Sequence, residues 1–268
     1  MHWQTLSNIV LPAYFQKRAT SDKESTLSLE GKKLPRTGYV AMLRGLHNWI
    51  ARLGPAERNR TTWANYSTTT TYTSDEATQK ADFVSAFISK NLPRTVIDMG
   101  CNTGDYSEVC LRSGASRVVG FDFDQQSLDK ALDRAADSDL DFLPLFLDAR
   151  NPAPSQGWNG AERRGFAERY SADAVIALAF EHHLAIAHNV PLPEVVEWIV
   201  GLAPAGIIEF VPKEDPTIQK MLALRTDIFD DYNIHTFRQS LSAVADIQQE
   251  FQVSSTGRTL FEFTRSSP

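Results

Sequence analysis

Two stretches of the chain combine residue types that could do chemistry. The first is Asp98-Met-Gly100-Cys-Asn102-Thr103-Gly104-Asp-Tyr106, an acid followed by a glycine-punctuated turn. Gly100 and Gly104 would let backbone approach a ligand closely, and a helix starting there presents free N–H groups. The second is Glu181-His182-His183 after the apolar run Ala177–Phe180. Histidine is the natural general base near neutral pH. Asp122, Asp148 and Glu209 each close or interrupt an apolar run as well. Simpler readings stand beside these. Asp98 could only satisfy a buried turn, Asp148 could cap one, Glu209 could be paired within a sheet, and both histidines could be structural. Glu181, His182, His183 and His188 crowd together, but they lack a His-Glu-x-x-His pattern and a nearby cysteine pair, so no metal is expected.

Buried strands must carry these residues. Five apolar runs read as strands: Thr95–Met99, Arg117–Phe121, Phe142–Leu147, Ala174–Leu178 and Gly206–Val211. Helical patterns lie between or after them at Tyr106–Arg112, Gln126–Ala136, Leu192–Leu202 and Ile218–Phe229. Such alternation predicts an α/β fold, a doubly wound parallel sheet with helices on both faces. Period-two segments around Ser254–Gly257 predict a terminal antiparallel hairpin. Residues 151–170 form a long Pro- and Gly-containing insertion, a length that is usually functional or disordered. Upstream, Tyr39, Met42, Leu43, Leu46, Trp49, Ile50 and Leu53 recur as one helical face, opposite Arg44, His47 and Arg52. Residues 61–74, Thr-rich with Trp63, Tyr66 and Tyr72, read as a loop, and Ser74 as the cap of a helix that ends before Pro93. The expected division is an N-terminal helical cap and lid segment over 1–74 and a main domain over 75–268.

Two ligand classes compete for the glycine turn. A dinucleotide site requires Gly-x-Gly-x-x-Gly, but its second and third glycines are here Asn102 and Asp105, and a carboxylate there repels a pyrophosphate. Asp-x-Gly-Cys-x-Thr-Gly after a Val-Ile strand instead resembles the first motif of the class I (Rossmann-like) S-adenosylmethionine-dependent methyltransferases, departing from it mildly at Asn102. That ligand carries a sulfonium and no phosphate, so acids are tolerable beside it. The resemblance covers residues 75–268 and implies a seven-stranded, mostly parallel sheet. It implies that Asp98, Gly100, Asn102, Thr103, Gly104 and Tyr106 bind the cofactor, with Tyr106 near its methionine end. Asp122, about 20 residues after the turn, would accept both ribose hydroxyls. Phe123 would pack on the adenine, and Asp148 and Ala149 would meet its edge. His182 and His183 stand where a catalytic base is expected, with Glu209 and Tyr232 as candidate acceptor residues and Tyr66 and Tyr72 as lid residues. Residues 36–46, Trp63, Tyr66, His182-His183 and Ile208–Val211 also resemble bacterial nodulation-protein-like methyltransferases.

Composition narrows the acceptor. The 268 residues carry 42% hydrophobic side chains and a formal charge of −6, which disfavours a nucleic-acid specialist. The longest apolar runs fall far short of the roughly 20 residues of a membrane span, and Met1–Gln4 lacks a secretory signal pattern. Two cysteines, Cys101 and Cys110, suggest a reducing cytoplasm rather than a disulfide scaffold. The expectation is therefore methyl transfer to an O or N atom of a small molecule, with S-adenosylhomocysteine as product. RNA or protein acceptors, and a non-catalytic cofactor-binding partner subunit, are the alternatives. The oligomeric state is open.

Overall fold

The computed structural model describes residues 3–21, 35–53, 73–223 and 225–266. The chain divides into two compact units, Met1–Asn59 and Arg60–Pro268. Trp63, Tyr66 and Tyr72 of the expected lid lie outside the described residues.

In the first unit, α1 (Trp3–Thr5), a π turn (Leu6–Val10) and α2 (Leu11–Ser21) precede α3 (Arg36–Ile50). The helical periodicity of Tyr39–Ile50 is realised in α3. Its apolar side chains Tyr39, Met42, Leu43 and Ile50 are nevertheless exposed.

The second unit opens with α4 (Ser74–Asn91). Thr73, rather than Ser74, is its cap. Only from Thr73 does Glu76 stand at the third helical position, where its Oε2 accepts the Thr73 N–H at 2.8 Å while Thr73 Oγ1 accepts the Glu76 N–H. Phe83, Val84, Phe87 and Ile88 of α4 are buried. Next come β1 (Thr95–Met99), α5 (Asp105–Arg112), β2 (Arg117–Asp122), α6 (Gln125–Asp137) and β3 (Phe142–Phe146). After the insertion, which contains the short helix α7 (Phe166–Arg169), follow β4 (Ala174–Ala177), a π turn (His183–Ala187), α8 (Leu192–Gly201) and β5 (Ala205–Phe210). Then come α9 (Pro216–Leu222), α10 (Ile234–Val244), β6 (Ala245–Gln252) and β7 (Thr259–Arg265).

All seven strands form one sheet in the order β3-β2-β1-β4-β5-β7-β6. The first five run parallel, and β7 lies antiparallel to both β5 and β6. The order reverses between β1 and β4, so their carboxyl ends splay into a crevice where open α/β sheets bind ligands. Apolar layers cover both faces, with Val195, Ile199 and Phe237 in one and Phe87, Cys110 and Leu128 in the other.

Two expectations are corrected. The helix expected over Ile218–Phe229 stops at Leu222, because the Asp227 carboxylate accepts the Phe229 N–H in a local turn that competes with helix. A new helix, α10, starts where the Asn233 side chain accepts the Thr236 N–H, and it buries Phe237 and Leu241. The hairpin forms, but β6 begins at Ala245, well before Phe251. Its first six residues, Ala-Asp-Ile-Gln-Gln-Glu, are mostly polar, as suits an edge strand.

Candidate active site

The glycine turn is built from the end of β1. The Gly100 and Cys101 N–H groups both donate to the Phe121 carbonyl of β2, at 2.8 and 3.0 Å. Asn102 occupies the left-handed region, φ +48°, which explains how it replaces a glycine: Asn tolerates that conformation better than most residues. Gly104, at φ +84°, caps α5. A Cβ there would lie 2.5 Å from the Phe142 ring, so the turn is pinned against β3. Asp105 does not stand alone, since Arg134 of α6 pairs with it and with Glu108.

Asp122 ends β2 and clamps this turn. Its Oδ2 accepts the Asn102 N–H and its Oδ1 the Asp124 N–H, each at 2.8 Å. Each carboxylate oxygen can accept a further hydrogen bond. Burial raises the Asp122 pKa, against the pull of those backbone donors. Asp98 on β1 is fully buried and accepts from Ser107 Oγ at 2.6 Å; burial pushes its pKa up to about 7. Two acids are therefore held near the ends of adjacent strands, Asp98 inside the protein against Ser107 and Asp122 at the glycine turn.

A raised folded-state pKa means that the native protein binds the proton more tightly than the unfolded chain. The associated stability is full below the unfolded carboxyl pKa and is lost as pH rises through about 7. Between pH 6 and 8 the loss integrates to about 1.4 kcal/mol. Chemical denaturation of Asp98→Asn beside the unsubstituted protein should reveal it as a difference in pH slope. Equal slopes would contradict the assignment.

Across the strand ends lies a cavity of about 460 Å³. Gly100, Asn102, Asp122, Phe123, Asp148, Ala149 and His183 line it, so seven of the expected site residues meet on one surface. Asp98, Thr103, Gly104 and Tyr106 do not line it: they build the turn and the start of α5. The rest of the wall includes Leu178, Ala179, Phe180, Arg150, Leu184 and Met221, which the sequence does not single out, and His188, weighed there only as a metal ligand. Ala179 is left-handed, φ +50°, an uncommon conformation for a residue with a Cβ and one that sequence gives no sign of. Phe180 closes over the turn, 3.0 Å from where a Cβ on Gly100 would sit. Arg150 could have been noticed as a cation two residues after Asp148.

The two histidines separate. His183 begins a π turn and lines the cavity; burial, then the charges of His182, His188 and Arg258, hold its pKa well below the ordinary value, so it is neutral at pH 7. His182 is fully buried behind it, the two ring centroids 4.2 Å apart. His182 Nδ1 lies 2.9 Å from Glu181 Oε2, and its Nε2 has no hydrogen-bond partner among the described residues. The other Glu181 oxygen accepts from the Val211 N–H at 2.9 Å and meets the Tyr232 hydroxyl at 2.7 Å. Tyr232 is buried there, also 2.6 Å from the Val211 carbonyl, and does not line the cavity.

Nor does Glu209, which turns into a buried charge network. Lys80 Nζ of α4 lies 2.6 Å from Glu209 Oε2 and 4.8 Å from the centre of the Tyr106 ring. Arg258 of the hairpin approaches Glu209 at 3.6 Å and grips Asp215 through two nitrogens, at 2.7 and 2.9 Å. All four side chains are at most 2% exposed. Among the described residues, no group of three or more His, Cys, Asp or Glu could hold a metal ion, and no helix is long and apolar enough to cross a membrane.

The strand order, the glycine turn after β1 and a cavity over the strand ends are those of the class I, Rossmann-like methyltransferase fold. More particularly, the chain is 49% identical over 269 residues to the nodulation protein NoeA of Rhizobium meliloti (strain 1021). That match takes in 99% of this chain and 56% of NoeA, so the chain spans just over half the length of this relative. No family model matches the chain. Among solved structures, WbdD superposes with a TM-score of 0.53 at 16% identity, over 82% of this chain and 46% of WbdD. Magnesium protoporphyrin IX methyltransferase (ChlM) from Synechocystis PCC 6803, solved with bound S-adenosylhomocysteine, gives 0.50 at 20% identity, over 83% of this chain and 95% of ChlM. At these identities the two likenesses are of fold.

Proposed function

We propose that the chain, through residues 75–268, transfers a methyl group from S-adenosylmethionine to an O or N atom of a small molecule, releasing S-adenosylhomocysteine. The observation that carries this reading is Asp122. Its carboxylate stands on the cavity wall, fixed by two backbone N–H groups of the glycine turn and the next loop, with acceptor capacity left for a ribose. The residues present fit such a cofactor. The volume falls within the roughly 300–1,000 Å³ of small-molecule sites, and the acids on its wall, Asp122, Asp124 and Asp148, suit a cation without phosphate. Asp122 would hold the ribose, Phe123 and Asp148 the adenine, and the Gly100–Gly104 turn the methionine part.

When bound, S-adenosylmethionine supplies an activated methyl on sulfur. The chain's own work is alignment, exclusion of water and management of the acceptor's proton. Leu178, Phe180 and Leu184 give the cavity an apolar wall. His183, neutral and facing the cavity, would take the proton from an acceptor hydroxyl or ammonium. His182, held by Glu181 behind it, positions that ring. The acidic charge and the paired acids at the strand ends favour a small acceptor over a polyanion. A reducing, cytoplasmic setting belongs to the same proposal, supported by Cys101 and Cys110 being buried free thiols.

The test is to incubate the protein with methyl-labelled S-adenosylmethionine and an extract, then fractionate. Label in the small-molecule fraction is expected, and His183→Gln should slow its appearance at least about tenfold while leaving cofactor affinity unchanged. Label in RNA or protein would overturn the acceptor class. Cofactor binding with label nowhere would favour a non-catalytic binding subunit.

A further inference from the structure

Arg150 lies just beyond β3 on the cavity wall, beside the two groups that the proposed function gives to the adenine. Its Nε and Nη2 donate to the two oxygens of Asp148 at 2.8 and 2.7 Å, and its own N–H adds a bond at 3.1 Å. Its guanidinium carbon lies 5.3 Å from the centre of the Phe123 ring. Guanidinium and adenine are alike in what they offer: a flat delocalised face to stack and N–H donors at an edge. An aromatic ring cannot lie between Phe123 and Arg150 at this spacing, since two face contacts at about 3.5 Å each need about 7 Å.

We infer that Arg150 is a built-in competitor for the adenine subsite, and so a residue that sets cofactor affinity. Its guanidinium and the adenine claim the same stacking face and the same carboxylate, so adenine docks only when the guanidinium turns aside. The way out is open, because the Arg150 side chain is 42% exposed. Asp148 is held below the usual carboxylate range mainly by its hydrogen bonds to Arg150, consistent with an engaged pair. The competition lowers the measured affinity by the fraction of time that the subsite is taken. This inference rests on the reading of the cavity as an S-adenosylmethionine site.

Calorimetric titration with S-adenosylhomocysteine, and with adenosine as the adenine-end probe, tests it on the full chain. Arg150→Ala should tighten both ligands about three- to tenfold, the size of an exposed ion pair plus a cation–π contact. Raising salt from about 50 to about 500 mM should tighten binding to the unsubstituted protein, by screening the Arg150–Asp148 pair, and leave Arg150→Ala unchanged. Arg150→Gln, which keeps a flat group without the charge, should fall between. Unchanged or weaker binding to Arg150→Ala would overturn the inference and make Arg150 neutral or a support for adenine. If neither protein binds either ligand, the cofactor reading itself fails and this inference with it.

Discussion

Asp122→Asn is expected to weaken S-adenosylhomocysteine binding by about 10²- to 10³-fold. Each Asp122 oxygen already accepts one backbone N–H, from Asn102 or Asp124. An amide offers one oxygen and one NH₂ group. One turn N–H then faces a donor, and two ribose hydroxyls compete for a single neutral acceptor. Hydrogen bonds to a charged group are worth about 1.5–3 kcal/mol each, so losing the charge and one acceptor amounts to about 3–4 kcal/mol. Calorimetry gives the affinity directly, and thermal unfolding without ligand is the control. Because Asn preserves volume, the melting temperature should move by only a few degrees. An affinity within a few fold of the unsubstituted protein would mean that the ribose is held elsewhere.

The second large effect concerns stability. Lys80→Met should lower unfolding free energy by about 3–5 kcal/mol, because it removes the ammonium that lies 2.6 Å from the fully buried Glu209 carboxylate. Burial lowers the Lys80 pKa while Glu209 raises it, so this ammonium depends on its carboxylate. For a chain of this size the loss is about 10 °C in melting temperature. The double substitution Lys80→Met with Glu209→Gln removes both charges and should recover much of the loss, a coupling that a double-mutant cycle isolates. A Lys80→Met variant as stable as the starting protein would show that the network is not what holds α4 to the sheet.

The parallel strands are legible as short, nearly continuous apolar runs, which for β1, β4 and β5 reflects burial along almost their whole length, whereas in β3 only Phe142 is buried. β1 matches its expected span, and β2–β5 match theirs to within a residue at each end. Legibility ended where polarity hides pattern. β6 is an edge strand with little apolar content, and α10 follows a cap at Asn233 that looks like any loop asparagine. Within the site, the residues on strand ends and in the glycine turn were readable, because backbone geometry leaves them few alternatives. Glu209 and Tyr232 were placed on the right strand end and loop, but their directions were not readable. Their partners, Lys80, Arg258 and Glu181, stand 129, 49 and 51 positions away in sequence, and only the folded chain brings them together. The same holds for the histidines: which of two neighbours faces a cavity depends on a π turn and on the left-handed Ala179 before it.

Titration of the unsubstituted protein with S-adenosylhomocysteine in a calorimeter bears most directly on the account. Saturable binding, one molecule per chain, weakened by Asp122→Asn, is the expected result. No heat at any attainable ligand concentration, with the protein folded by circular dichroism, would contradict it and leave the cavity over β1 and β4 to another ligand.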